Sequence, residues 1–222
     1  MGSVQMHMLV CIVDDDQSVR RSLGRLIKSA DYAAETFSSA EDYLARETFE
    51  GAICLVLDVR MPGLNGLGLQ QALEQRGAGE QIVFITGHGD VPTCTQAMKS
   101  GAVDFLTKPF GGEELIGAVK RALERAEDYV RERRERREAR GRIDKLTPRE
   151  FEVLRFVIVG LLNKQIAAEL HTAEKTIKVH RGRVMQKLGA ISVPDLVRIS
   201  QHAGVAPAAV PHGTKVHYLA EA

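Results

Sequence analysis

Hydrophobic and polar positions along the first 120 or so residues follow two alternating periods. Leu9-Val-Cys-Ile-Val13 is an unbroken apolar run that empties into Asp14-Asp-Asp16. A short apolar run closed by charge is the pattern of a strand buried on both faces. From Gln17 to Ala30 the apolar residues Val19, Leu23, Leu26 and Ile27 fall at the spacing of one helix face. Strand-like runs return at Ala33–Phe37, Ile53–Leu57, Gln81–Thr86 and Asp104–Thr107. Helical stretches are predicted at Ala40–Glu47, Gly66–Gln75, Val91–Ser100 and from Glu113 onward. Strands alternating with helices in this way predict an α/β, doubly wound, parallel five-stranded sheet with helices on both faces. Such a sheet presents its functional residues at the carboxyl ends of its strands.

The pattern changes after residue 125. Arg131-Glu-Arg-Arg-Glu-Arg-Arg-Glu-Ala-Arg140 contains neither Gly nor Pro and almost no apolar residue. Arg and Glu one turn apart favour a solvated helix, with Gly141 as a stop or hinge. A run this basic can also touch DNA. From Leu146 the periodicity is helical throughout, with helices expected at Pro148–Val159, Asn163–Leu170, Ala173–Leu188 and Val193–His202. Thr147-Pro-Arg-Glu150 reads as a capping box with Pro at the first helical position, and Ser192 as the cap of the last helix. The organisation is therefore a domain over 1–125, a charged helical linker over 126–145, a small all-α four-helix domain over 146–205 and a loosely ordered tail over 206–222.

Composition narrows the class without changing it. Of 222 residues 44% are hydrophobic and 27% charged, which suits a globular protein, and the net charge of +1 selects no partner. No apolar run approaches the roughly 18 residues that span a bilayer. Residues 1–8 show neither a basic nor an apolar signal region, and Met6 stands where a myristoylation signal wants Ser or Thr. The expected location is cytoplasmic, with no membrane partner. Cys11, Cys54 and Cys94 lack any CxxC spacing and read as small hydrophobes.

Candidate chemistry collects at the predicted strand ends. Asp14 and Asp15 follow the first strand, Asp58 the third, Thr86 ends the fourth and Lys108 lies beyond the fifth. Crowded carboxylates repel unless a cation neutralises them, and hard oxygen donors suit Mg²⁺. A carboxylate beside such a metal can attack phosphorus and form an acyl phosphate, while Thr86 and Lys108 offer a hydroxyl and an ammonium to phosphoryl oxygens. A lone Asp at a strand end usually caps a helix; compatible residues at successive strand ends point to a site.

The helix from Ala173 separates into two faces. Ile177, Val184 and Leu188 form an apolar side, and Lys175, Lys178, Val179, Gly182 and Gln186 fall on or near the other. A short helix and turn before it, Asn163–Leu170 and His171-Thr172, give the layout of a helix-turn-helix. On pattern alone, a small helical interaction domain with a solvated basic face fits equally well.

Both halves resemble known families. Val13-Asp-Asp-Asp16, Leu57-Asp-Val-Arg-Met-Pro62, Phe84-Ile-Thr-Gly-His-Gly-Asp90 and Gly101-Ala-Val-Asp-Phe-Leu-Thr-Lys-Pro-Phe110 are similar to the receiver motifs of two-component response regulators, closest in wording to the FixJ-like group. Over residues 9–125 the resemblance implies a CheY-like receiver with strand order 2-1-3-4-5. It implies Asp58 as phosphoacceptor. Metal contact would come from Asp15, Asp58 and the backbone carbonyl of Arg60, and from Asp14 through water. Thr86 and Lys108 would be the phosphate-sensing pair, Phe105 the aromatic switch, and Lys108–Pro109 a frequent cis bond. Leu146-Thr-Pro-Arg-Glu150, Asn163-Lys-Gln-Ile-Ala167 and Glu174–Met185 resemble the LuxR/NarL-type four-helix DNA-binding domain. That resemblance makes the helix from Ala173 the recognition helix and puts Lys178 and Val179 at base edges. Some members carry a third basic contact where this chain has Gly182; Arg183, His180 and Gln186 are the candidates to replace it. Lys175, Thr176 and Arg181 are expected to hold phosphates, with snorkelling as the alternative for Arg181, which sits near the core side.

The expected function is a phosphorylation-gated transcriptional regulator. A sensor histidine kinase is the expected donor to Asp58 and Mg²⁺ the cofactor. A homodimer would form on phosphorylation, with double-stranded DNA, in an inverted repeat, as target and RNA polymerase as a further partner. Catalysis is expected only as self-catalysed phosphorylation and dephosphorylation of the aspartate. A phosphatase-like enzyme or a phosphate-independent DNA binder are the rival readings; a mobility shift with and without an acyl-phosphate donor separates all three.

Overall fold

The computed structural model describes residues 8–87 and 91–209. His88–Asp90, part of the Thr-Gly-His-Gly-Asp segment, lie outside the described residues, as do residues 210–222 of the expected tail. The chain divides into two compact units, Met1–Arg131 and Glu132–Ala222.

In the first unit, β1 (Met8–Val13), β2 (Ala33–Phe37), β3 (Ala52–Asp58), β4 (Gln81–Thr86) and β5 (Asp104–Thr107) form one sheet in the order β2-β1-β3-β4-β5. Every described pairing is parallel, with Val13 opposite Leu57 and Asp58 opposite Ile85. The two-residue period of a strand sends alternate side chains to opposite faces. Leu9, Cys11, Val13, Ile53, Leu55 and Leu57 accordingly enter one core, and Val10, Ile12, Cys54 and Val56 the other. The helices are α1 (Gln17–Ser29), α2 (Ala40–Leu44), α3 (Gly66–Arg76), α4 (Val91–Lys99) and α5 (Gly112–Ile143). Helix α2 is shorter than the pattern predicts. Cys11 and Cys54 are buried thiols and Cys94 is half-buried.

Helix α5 packs its first turns into the second core through Leu115, Ala118, Val119, Ala122 and Leu123. Between Glu127 and Glu138 no residue is buried, and the ion pairs from one turn of this helix to the next are Arg131–Asp128 at 2.6 Å and Arg134–Glu138 at 2.9 Å. Exposed pairs of this kind contribute only a few tenths of a kcal/mol each. The expected stop at Gly141 is corrected: the helix runs through it to Ile143. Ala139 and Ile143 are buried in the core of the second unit, and burial of these side chains outweighs the roughly 1 kcal/mol helix penalty of one glycine.

That second unit adds α6 (Pro148–Val157), α7 (Asn163–Glu169), α8 (Glu174–Leu188) and α9 (Val193–His202). Val153, Leu154, Val157, Ile166, Ile177, Val184, Leu188, Leu196 and Ile199 share its core. Thr147 caps α6 with Glu150 reaching back to the Thr147 N–H at 2.9 Å, and Ser192 caps α9. The start of the expected loose tail is instead tied down: Arg155 donates to the carbonyls of Ala206 and Pro207, and the Ala208 N–H donates to the Arg155 carbonyl.

Candidate functional site

Three consecutive aspartates leave β1, and local geometry gives each a different environment. Asp16 accepts from the N–H groups of Ser18 and Val19 and caps α1; those bonds hold its carboxyl below the usual carboxylate range. Asp15 is exposed. Asp14 is buried, 1% exposed, with Oδ1 accepting from the Asp16 N–H at 2.9 Å and its carbonyl accepting from Arg20 at 2.7 Å. Asp58, the last residue of β3, is 6% exposed and its Oδ2 accepts from the Arg60 N–H at 2.7 Å. Each of the two buried carboxylates thus has one oxygen fixed by the backbone and one turned toward a shared cation.

That cation is Lys108. Its ammonium donates to Asp14 Oδ2 at 2.7 Å and to Asp58 Oδ1 at 2.8 Å. The Lys108 N–H donates to the Thr86 carbonyl at 2.7 Å, which ties the segment after β5 to the end of β4, and the Lys108–Pro109 peptide is cis. Burial pushes the Asp58 carboxyl up, and outweighs the hydrogen bonds and charge of Lys108 that pull it down. Burial alone would lower Lys108, but its bonds to Asp14 and Asp58 and their charges exceed that and raise it. Thr86 is buried at the end of β4. Phe105 is half-buried on β5, its ring 6.2 Å from that of Phe84, and packs against the first core.

Gly66 holds the remaining side of Asp58. A Cβ at this position would lie 2.3 Å from the Asp58 carbonyl oxygen, so α3 approaches β3 only because residue 66 has no side chain. The Gly66 N–H donates to the Val59 carbonyl at 3.1 Å and closes the loop that carries Arg60.

The structure therefore brings together Asp14, Asp58 and Lys108, with Thr86 joined through its backbone, whereas no described side chain bonds Asp15. Among the described residues no three acidic, His or Cys side chains already form a metal-ligand set, because the ammonium sits between the two carboxylates. The donor chemistry nonetheless fits a hard divalent cation: two carboxylate oxygens already converge on one positive centre.

In the second unit Lys175, Thr176, Lys178, Val179, Arg183 and Gln186 are exposed on α8, opposite the buried Ile177, Val184 and Leu188. Val179 is 48% exposed, an apolar side chain left beside lysines. Around Gly182 nothing lies within 4 Å of a would-be Cβ, so α8 has a flat, open position there. Arg181 is half-buried and donates to Asn163 Oδ1 at 3.2 Å, which fixes α8 against α7. His180 is half-buried with its Nδ1 covered and unbonded. Sequence reasoning missed Lys187. Its ammonium donates to Glu150 Oε2 at 2.6 Å and to the Lys145 carbonyl, pinning α8 to the cap of α6; the signal was a Lys at the C-terminal end of an otherwise outward-facing stripe. With Lys187 and the Thr147 N–H beside it, the Glu150 carboxyl is held down at about 2.

Known proteins match this arrangement in both halves. The "Response regulator receiver domain" family profile matches residues 10–120, and "Bacterial regulatory proteins, luxR family" matches residues 144–200. Nodulation protein W of Bradyrhizobium diazoefficiens is 45% identical over 197 residues, which cover 89% of this chain and 87% of that protein. Transcriptional regulatory protein FixJ of Azorhizobium caulinodans is 44% identical, covering 90% of this chain and 94% of that one. Among solved structures, response regulator StyR superposes with a TM-score of 0.78 at 44% identity, over 88% of this chain and 98% of that chain. Among the described residues no helix is long and apolar enough to cross a membrane. The chain belongs to the response regulators of two-component systems, with a receiver domain followed by a DNA-binding domain of the LuxR family, the architecture of the FixJ regulators.

Proposed function

We propose that Asp58 accepts the phosphoryl group and that its phosphorylation gates DNA binding by α8. The supporting observation is the shared ammonium: Asp58 Oδ1 and Asp14 Oδ2 both bond Lys108, which marks, among the described residues, the place where the sheet gathers buried charge. In the transfer, an Asp58 oxygen attacks phosphorus and the bond from phosphorus to the donor histidine nitrogen breaks, leaving an acyl phosphate on Asp58 and a histidine that takes up a proton. A bound Mg²⁺ would be held by Asp14, Asp15, Asp58 and the Arg60 carbonyl, and would supply positive charge against the phosphoryl oxygens. Asp14 keeps its bond to the Asp16 N–H throughout. Lys108 turns from the carboxylates to a phosphoryl oxygen, and the Thr86 hydroxyl takes another. Movement of Thr86 leaves room for Phe105, whose half-buried ring then repacks and alters the surface around α4, β5 and α5. Dimerisation on that surface presents two α8 helices to an inverted repeat, where contact with RNA polymerase follows. The chain has no catalytic role beyond making and hydrolysing its own acyl phosphate.

Labelling by a small acyl-phosphate donor tests the reading. Wild type takes up about one phosphoryl group with Mg²⁺ and none in EDTA. Asp58→Asn takes up none, and Asp15→Asn loses most uptake while staying folded. Full labelling of Asp58→Asn, or of Asp15→Asn in EDTA, would sink it. A mobility shift on the same samples reads the gate.

A further inference from the structure

We infer that Arg133, Arg136, Arg137 and Arg140 of α5 form a second DNA-contacting surface, which grips phosphates outside the bases read by α8. From Arg131 to Arg142 the sequence places seven arginines and three glutamates. At 3.6 residues per turn the four named arginines fall within an arc of about 100°, while Glu135 and Glu138 fall on the other side of the helix and Glu132 lies about 40° beyond Arg136. Two of the three acids engage elsewhere. Glu138 pairs with Arg134, and Glu135 Oε2 lies 3.4 Å from His202 Nδ1 on α9. Arg133, Arg136, Arg137 and Arg140 are all exposed, and none of their guanidinium groups has a hydrogen bond or ion pair to a described residue. A merely solvated Arg–Glu helix would distribute its pairs; this one is sorted into a paired side and an unpaired cationic side.

The stripe is also fixed to the DNA-binding unit. Ala139 and Ile143, about a quarter turn away around the helix, are buried in that unit's core. Arg142 donates to the Leu188 carbonyl at the end of α8. The stripe therefore belongs to the body that carries α8. That unit holds 17 Lys and Arg against 10 Asp and Glu, a net +7, whereas the first unit holds 13 against 19, a net −6. A concentration of cations on the DNA-binding unit of a nearly neutral chain is the electrostatic footprint of a polyanion site. From Arg133 to Arg140 the helix advances about 10 Å, and one DNA strand offers about three phosphates over that axial length. Four flexible guanidiniums can cover three phosphates.

The inference rests on DNA binding through α8 and adds affinity without sequence preference. The test uses the full-length chain and a duplex that wild type selects from a random pool, alongside an unselected duplex of equal length. Replacing all four arginines by Gln, a good helix former, should lower the slope of log K against log salt by about 2–4 units. Three lost phosphate contacts correspond to a defect that shrinks about 40-fold between 50 and 200 mM salt. The ratio of selected to unselected binding should stay unchanged, and replacement by four Lys should restore the slope. An unchanged slope in the Gln variant overturns the inference, as does a four-Lys variant that binds no better than the Gln variant. If wild type selects no duplex at all, the α8 reading fails and takes this one with it.

Discussion

Replacing Lys108 by Met removes the ammonium that Asp14 and Asp58 share at 2.7 and 2.8 Å, and leaves their side chains only 1% and 8% exposed. Breaking a fully buried ion pair costs about 3–5 kcal/mol. Lys108 itself is 26% exposed, so water reaches the vacated position, and a discount of about half leaves a loss of roughly 2 kcal/mol. The loss depends on pH in a definite sense. Asp58 already sits above its ordinary value of 3.8 because burial disfavours its charge, and losing Lys108 raises it further. A raised carboxyl stabilises the fold at low pH and loses that contribution as pH rises through its folded value. The deficit of the variant is therefore small near 3.8 and full at neutral pH. Urea unfolding of the full chain in EDTA measures it, with hydrogen exchange in β1 and β3 assigning the transition to the receiver. Millimolar Mg²⁺ should recover much of the loss by taking over the neutralisation. A variant as stable as wild type in EDTA at neutral pH would refute the reasoning.

Four other substitutions probe separate parts. Lys178→Ala should cost about 1–3 kcal/mol on the selected duplex and flatten base preference, whereas Lys175→Ala should weaken all sequences alike; indistinguishable behaviour in competition binding would mean that positioning was mistaken for readout. Glu150, held down at about 2, stabilises its unit fully above about 4.5 and loses that contribution as pH falls toward 2. Glu150→Gln keeps a capping acceptor but not the charge opposite Lys187, so it should lose about 1 kcal/mol at neutral pH and show a flatter acid limb in thermal melts. Gly66→Ala drives a methyl against the Asp58 carbonyl and should cost about 1–3 kcal/mol, with slower acyl-phosphate labelling than a surface Gly→Ala control.

What was legible in the sequence follows from how local the cause is. The runs from Leu9 to Val13 and from Ile53 to Leu57 are apolar on both faces, and only a strand covered on two sides hides them; the five strands emerge within a residue of their expected bounds. The caps at Thr147 and Ser192 are similarly short-range. Gly141 misled because its penalty is local while the force overriding it, burial of Ala139 and Ile143 against helices up to 60 residues away, is tertiary. The same holds at the site. That Asp14 and Asp58 would meet follows from strand order, but the lysine lying between them, and the absence of any bond to Asp15 from another described side chain, depend on packing. Lys187 escaped notice because its partner, Glu150, lies 37 residues away.

The bond from the Gly66 N–H to the Val59 carbonyl makes the segment after Asp58 a ring of chain, returning to within one hydrogen bond of its departure point. Glu41 pins the ring a second time, accepting from the Leu64 N–H at 3.1 Å. Such a ring has a fixed circumference. One residue more or fewer between Val59 and Gly66 breaks the closing bond, swings Arg60 away and brings a side chain to the place where only glycine fits. Insertions and deletions in descendants of this chain should therefore be absent from 59–66, whatever the drift in its side chains.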